Sequence, residues 1–330
     1  MDILVGGYMY PFVSQEVLNA TLPNLSFLAL FTYGITEEGE LIQLDDEALI
    51  EAANANGVIP IMVLTAMNVE GRFDTQLAHI VLNNADSRER LVENILNNIK
   101  TKGLGGVDFD FEFLFPEDRE TYASFVDQTR QRLNPEGYMV TVALAPKTYA
   151  EQPGLLYEGH DYALMGQAAN LTLLMTYEWG YKFGPPMAVA PVNMVRRVLD
   201  FAVTQIPREK ILMGIPNYGY DWTLPFVENV SMAELISNIE AVERAERVGA
   251  VIQYDQLAET PFYTYQDPFG NEHEVWFENE ASLRAKLSLV AEYGLGGVSY
   301  WNLMDYHPVN WVVLHSMYGV RRLNSPADVF

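Results

Sequence analysis

The chain has 330 residues, 49% of them hydrophobic, no cysteine and a formal net charge of −24 at pH 7. That length and apolar content suffice for one large core, while the lack of cysteine excludes disulfides, thiolate metal sites and cysteine nucleophiles together. So acidic a chain lacks the basic face that nucleic acid or an anionic membrane surface requires, and its expected partner is neutral or small. No window approaches the ~18 uninterrupted apolar residues of a membrane-spanning helix. The N-terminus runs straight into an apparent strand without a basic segment or cleavage site, so no signal peptide is expected in this chain.

Apolar runs rich in β-branched and aromatic residues recur in chain order: ILVGGYMYPF from Ile3, SFLALFTYG from Ser26, VIPIMVLTAM from Val58 and GGVDFDFEFL from Gly105. YMVTVALAPK from Tyr138, LTLLMTYEWG from Leu171, ILMGIPNYGY from Ile211 and GGVSYWNLMDY from Gly296 complete a set of eight. Between them lie segments of helical period, the clearest being DDEALIEAANANG, SRERLVENILNNIKTKG, PEDRETYASFVDQTRQRL, VNMVRRVLDFAVTQIP and NEASLRAKLSLVAEYG. Several open on Ser, Asp, Asn or Pro and two close on Gly, the residues that start and stop helices. Alternating strands and helices imply parallel pairing with right-handed crossovers. Eight such units predict an α/β fold, a (β/α)8 TIM barrel, with catalytic groups where strands end and loops begin.

One interval breaks the rhythm, because residues 221–278 far exceed the ~2–6 residues of an ordinary βα loop. This segment carries its own helix signal, SMAELISNIEAVERA, and the strand-like pieces AVIQYD, PFYTYQD and HEVWFE around the turn PFGN. It reads as a small α+β insertion after strand seven, leaving 1–220 and 279–330 to the barrel. On the catalytic face it would either deepen one wall of a cleft or stiffen the barrel rim.

The run GGVDFDFEFL sets acids at every second position of an apolar stretch. Side chains alternate faces along a strand, so Asp108, Asp110 and Glu112 share one face and Val107, Phe109, Phe111 and Phe113 the other. The aromatic face suits packing against helices, which turns the acids into the barrel with Glu112 outermost. Residues two apart in a strand lie about 6.6 Å from one another, and ionising all three acids in so poorly hydrated a place is costly. At least one is expected to hold a proton at neutral pH, with Glu112 placed to deliver it, and the group should titrate as a coupled set. A structural acid cluster, a divalent-metal site and a general acid for hydrolysis are the competing readings. The strand offers no cationic partner for the first, and five histidines in the whole chain make further ligands scarce for the second.

GGVDFDFE also resembles the Asp-Gly-x-Asp-x-Asp-x-Glu signature on the fourth strand of glycoside hydrolase family 18, with Gly105 in place of the first aspartate. The resemblance extends along the chain through GGYMYPF, FTYG, GIPNYGYDW, GGVSYWNL and LMTYEWG. In the last of these, Met175, Tyr177 and Glu178 fill the family's Met-x-Tyr-Asp, with Glu for Asp. YPFVSQEVLNATLPNLSF, FEFLFPEDRE and IQYDQ followed by HEVWFEN are similar to the spore-germination and cortex-lytic branch of that family.

The resemblance implies retaining, substrate-assisted hydrolysis next to an N-acetylglucosamine, one of the exceptions to the two-carboxylate scheme. Glu112 would be the acid and then the base, Asp110 would hold the acetamido N–H, Asp108 would share a proton with Asp110, and Tyr177 would hold the acetamido oxygen. Trp301 resembles the residue that floors the sugar site, and Tyr8 and Tyr218 match cleft-lining positions, with Trp179 a further candidate for sugar stacking. No cofactor or metal is required. The implied partner is a GlcNAc-containing glycan, peptidoglycan or cortex fragments or chitin-like oligosaccharides, cleaved by a monomer that is extracytoplasmic or spore-associated. A chitinase, an endo-β-N-acetylglucosaminidase and a non-catalytic carbohydrate-binding barrel remain alternatives.

Overall fold

Each of the eight apolar runs contains one strand of a closed parallel barrel. A computed structural model describes residues 1–330. In chain order its strands are β1 (Asp2–Met9), β2 (Phe27–Ile35), β3 (Leu41–Ile42), β4 (Ile59–Leu64), β5 (Gly106–Phe109), β6 (Met139–Leu144), β7 (Leu171–Leu174) and β8 (Ile211–Pro216). They continue with β9 (Gly219–Thr223), β10 (Glu234–Ile236), β11 (Gln253–Asp255), β12 (Thr260–Gln266), β13 (Glu272–Trp276), β14 (Gly297–Trp301) and β15 (Gly319–Val320). The barrel runs β1-β2-β4-β5-β6-β7-β8-β14 and closes where Leu4–Gly7 of β1 pair with Gly297–Tyr300 of β14. β3 and β15 are short additions at β2 and β1.

Alternation along the strands sorts the apolar side chains into two cores. Ile3, Val5, Met62, Leu64, Val107 and Phe109 point outward and join the helices in a cluster of 74 buried residues. Leu4, Tyr8, Ile61, Val63, Ala143, Leu171 and Leu173 point inward and belong to a separate barrel-interior cluster of 13. Because Phe109 is fully buried in the outer cluster, its truncation to Ala would cost about 3–5 kcal/mol. Gly105 packs at the base of β5, where a Cβ would come within 2.2 Å of Ile59 Cγ2 and 3.0 Å of Pro326 Cγ. With Ile59 and Pro326 packed as they are, an aspartate has no room at this position, where the family signature begins.

The helices follow their capping signals. Asn84 accepts from Ser87 N to open the helix Ala85–Lys102, and Gly103 ends it at φ 77°. Asn279 and Ser282 form a reciprocal capping box at the start of Glu280–Tyr293. The structure also contains the helices Gln15–Thr21, Thr75–Asn83, Tyr162–Ala168 and Pro308–Met317, which lie between barrel strands or after the last of them.

The second sheet is antiparallel, in the order β10-β9-β13-β12-β11, and begins at Gly219, directly after β8. The stretch SMAELISNIEAVERA is not one helix. Glu234–Ile236 pairs with β9 as β10, and the helix Asn238–Val248 starts only after Ser237, whose side chain accepts from Glu240 N. The helix buries Ala241 and Ala245 with Ile236, Tyr263, Val275 and Phe277 in a small core of its own. Asp221 knits the subdomain by accepting from Arg244 Nη1 and Tyr265 Oη, both at 2.6 Å. Trp222 Nε1 donates to Gly184 O and Ala233 N to Lys182 O, so the subdomain packs on the loop that follows β7.

Candidate active site

The acids do not form an unbroken ladder within a strand. β5 ends at Phe109, and of the three acids only Asp108 lies in it. One further backbone bond, Asp110 N to Leu64 O at 2.9 Å, continues the β4 edge, and Phe111 still buries its ring in the outer core. The chain then turns away, with Phe113 at φ 59°. Its ring is 39% exposed and meets Phe73 edge-on at 5.9 Å, where alternation alone would have packed it on the helices. Pairing with β6 stops at Phe109↔Val142, so nothing in the sheet extends the pleat to Glu112.

Asp108 is buried with both oxygens satisfied. Oδ2 accepts from Tyr8 Oη at 2.6 Å and Oδ1 from Thr141 Oγ1 at 2.5 Å. Burial pushes this carboxyl up to about 6, and the two hydrogen bonds pull against that rise. Asp110 is held well above the usual carboxylate range, first by burial and then by the charges of Glu112 and Asp108. Its Oδ1 is buried and has no hydrogen-bond partner. Burial, with Glu178 adding repulsion, raises Glu112 to about 7. The Tyr177 hydroxyl is pushed up by burial and by the surrounding acids, so it remains a proton donor.

Two cavities meet at these groups. One of about 260 Å³ is lined by Tyr8, Tyr10, Phe31, Met67, Phe73, Asp110, Ala143 and Trp301, and the other, of about 110 Å³, by Pro146, Leu156, Tyr157 and Trp179. Glu112, Met175, Tyr177 and Glu178 line both. No lysine or arginine lines either cavity. Trp301 sits in an aromatic cage, with ring centroids 5.0 Å from Phe31, 5.3 Å from Tyr8 and 6.2 Å from Tyr10.

Tyr177 stands on Gly214 of β8. A Cβ at that position would lie 2.6 Å from Tyr177 Cε1 and 2.5 Å from Leu174 O, so only glycine lets the ring settle there. Glu178, at φ 68°, turns its carboxylate back to accept from Tyr218 Oη at 2.8 Å and Tyr220 Oη at 3.0 Å.

Of the residues singled out from sequence, Asp110, Glu112, Met175, Tyr177, Glu178, Tyr8 and Trp301 share the larger cavity, and Trp179 lines the smaller one. Asp108 lies behind them, bonded to Tyr8. Tyr218 lines neither cavity and instead supports Glu178 from behind. Tyr220, in the first strand of the second sheet, does the same, and no residue from 221 to 278 lines either of these two cavities. Sequence reasoning missed Tyr10, Phe31 and Thr141. Tyr10 lies two residues beyond Tyr8, and Thr141 is the inward-facing partner of Asp108 in the β5–β6 register, so both carried a period-two signal. Tyr157 and Leu156 come from a loop with no such period. No group of three or more His, Asp or Glu side chains converges as metal ligands, and no helix is long and apolar enough to cross a membrane.

A carboxyl cluster without cations, set between two aromatic-walled cavities at the mouth of a parallel barrel, is chemically suited to proton transfer onto a neutral, ring-shaped substrate. Residues 65–305 match Glycosyl hydrolases family 18. The chain is 39% identical over 307 residues to the cortical fragment-lytic enzyme of Bacillus subtilis (strain 168), a match covering 93% of this chain and 71% of that protein. It is 37% identical over 315 residues to the putative sporulation-specific glycosylase YdhD of the same organism, covering 95% and 74%. The crystal structure of the Bacillus cereus spore cortex-lytic enzyme SleL aligns with a TM-score of 0.93 at 35% identity, over 97% of this chain and 75% of that one. The chain belongs to glycoside hydrolase family 18, and it is a hydrolase of glycosidic bonds in GlcNAc-containing glycans.

Proposed function

We propose that this hydrolase is a retaining β-N-acetylglucosaminidase that cleaves β-1,4 bonds in bacterial spore cortex glycan by substrate-assisted catalysis. The observation that carries the reading is the buried, unpartnered Asp110 Oδ1 beside Tyr177 and Glu112, at the junction of the two cavities. A buried acceptor without a donor is costly, and the acetamido N–H of a bound N-acetylglucosamine supplies one. Tyr177 donates to the acetamido oxygen and points it at C1. Glu112, raised to about 7, retains a proton near neutrality and gives it to the leaving glycosidic oxygen, then takes one from the water that opens the oxazolinium ring. Asp108 and Asp110 share a proton, which leaves Asp110 able to balance the positive charge of that ring. Holding the nucleophile inside the substrate draws on the large effective molarity of intramolecular attack.

The sugar before the cleaved bond rests on Trp301 in the larger cavity, in contact with Glu178, and the leaving sugar lies against Trp179 and Tyr157. With acids and no basic residue around it, the larger cavity favours a neutral N-acetylglucosamine over a carboxylate-bearing sugar. The enzyme is proposed to act as a monomer on cortex, in an extracytoplasmic or spore-associated setting, without inserting into a membrane. Relatives named for cortex lysis support that choice over chitin. The test is product analysis on purified cortex fragments and on chitin oligomers with the native protein and Glu112→Gln. Cleavage by the native protein alone, with β-anomers appearing first and cortex fragments preferred, is expected. Equal cleavage by both proteins, or by neither, overturns the reading.

A further inference from the structure

Glu112 lies beyond the end of β5, so the sheet does not hold it, yet its usefulness depends on standing at the junction of the two cavities. Side chains secure the preceding residue instead. Phe111 N–H donates to Tyr122 Oη at 3.3 Å, and Phe111 C=O accepts from His160 Nε2 at 2.7 Å. That carbonyl belongs to the same peptide plane as Glu112 N, so fixing it sets the direction from which the Glu112 side chain leaves the backbone.

The clamp is itself locked. His160 Nδ1 accepts from Ala145 N–H at 2.9 Å, which leaves the proton on Nε2, facing Phe111. Burial lowers the ring to about 4, with Lys147 adding to the effect, and so keeps it neutral across the working range. Lys147 Nζ donates to His160 O at 2.8 Å, and Tyr162 Oη bridges the same turn by donating to Ala145 O at 2.6 Å and accepting from Lys147 N at 2.8 Å. The Tyr122 ring lies flat against Phe111, with centroids 5.2 Å apart and planes 4° from parallel. Neither His160 nor Tyr122 lines either of the two cavities at Glu112.

We infer that His160 and Tyr122 are positioning residues for this reaction: by gripping the two faces of the Phe111 backbone, they hold the Glu112 carboxyl where the two cavities meet. The inference rests on the assignment of Glu112 as the proton donor. It requires the bond to Phe111 O specifically, and that separates it from a merely structural role for a buried histidine.

A pair of amide substitutions isolates that bond. The amide nitrogen of a glutamine reaches the place of Nε2, so His160→Gln keeps a donor for Phe111 O. The shorter asparagine reaches the place of Nδ1, so His160→Asn keeps the acceptor for Ala145 N and leaves Phe111 O without a donor. Each removes one buried contact, and both are expected to lower the melting temperature by similar amounts. On whichever glycan the native protein cleaves, His160→Gln should stay within about 3-fold of native kcat. His160→Asn should lose at least 10-fold in kcat with KM within 2-fold of native, and its alkaline pH limb should shift as the Glu112 environment changes. Tyr122→Phe keeps the stacked ring, removes the acceptor for Phe111 N–H, and should lower kcat several-fold with KM unchanged. The positioning role is overturned if both His160 variants keep native kcat, or if they lose activity equally, in step with stability. Should the His160 variants not fold, native kcat in Tyr122→Phe overturns it alone. An inactive native protein would instead overturn the proposed function.

Discussion

The Tyr8 hydroxyl donates to Asp108 Oδ2 at 2.6 Å, tying the first barrel strand to the innermost acid of the site, while Thr141 holds the other oxygen at 2.5 Å. Both bonds favour the ionised form, working against the burial that raises Asp108 to about 6. Tyr8→Phe and Thr141→Val each remove one of them. The Asp108–Asp110 pair then ionises less readily, so the acid limb of the pH–rate profile should move to higher pH in both variants. A hydrogen bond to a charged group contributes about 1.5–3 kcal/mol, which predicts a loss of about 10- to 100-fold in kcat/KM for each. An acid limb that stays in place in both would remove Asp108 from the proton sharing.

Glu112 is raised to about 7, so native activity should fall as pH rises through that value and the carboxyl gives up its proton. Replacing a general acid typically costs 10²–10⁴-fold, and a loss of about that size in kcat is expected for Glu112→Gln. Single-turnover rates on a chitin oligomer or cortex fragment measure both effects.

The same carboxyl carries a stability signature of definite sign. Its folded pKa lies above the value of an unfolded glutamate, so the favourable contribution of the protonated form is complete below about pH 4 and is lost as pH rises through about 7. Glu112→Gln cannot ionise and escapes that loss. It should match the native protein in denaturant stability at pH 4 and exceed it at pH 8 by about 1–3 kcal/mol. A variant less stable than native at pH 8 would show that Glu112 is not held in its neutral form by burial.

Gly214 gives Tyr177 its seat, since a Cβ would stand 2.6 Å from the ring. Because the same Cβ would also stand 2.5 Å from Leu174 O of β7, Gly214→Ala is expected to cost about 3 kcal/mol or more and, in the protein that folds, to push the Tyr177 hydroxyl off line, so that kcat falls more than KM rises. Native kinetics in a folded Gly214→Ala protein would mean that the ring can shift without cost to the reaction.

Gly105 stands where the family signature begins with aspartate, and Ile59 and Pro326 fill the space around it. Gly105→Asp should therefore lower the melting temperature without raising activity. Thermal unfolding and steady-state rates on one sample decide the matter, because an active, undiminished Gly105→Asp protein would show that the base of β5 can open.

Much of this architecture is legible in the linear chain. The eight apolar runs and their intervening helices follow from periods of about 2 and 3.6 residues, and pairs such as Asn84 with Gly103 bound helices by local hydrogen bonding and backbone conformation. The acids of GGVDFDFE were visible for the same reason, as polar side chains at every second position of an apolar run. Where β5 stops was not visible. Phe111 and Phe113 have the same residue type at the same spacing, yet one is buried against Tyr122 and the other turns outward to Phe73. That difference comes from the reach of β6 and from side chains 11 and 49 residues further along the chain.

The same division holds for SMAELIS, whose pattern suits a helix but whose Glu234–Ile236 is taken up by the open edge of β9. It holds also for Tyr218, which matches a cleft-lining position by family resemblance and which the fold bonds to Glu178 outside both cavities. Local period and capping settle which segments become strands and helices, because their causes lie within a few residues. Cavity walls, the partner of each hydroxyl and the proton affinity of each acid depend on burial and on groups distant in sequence, and these exist only once the barrel has closed.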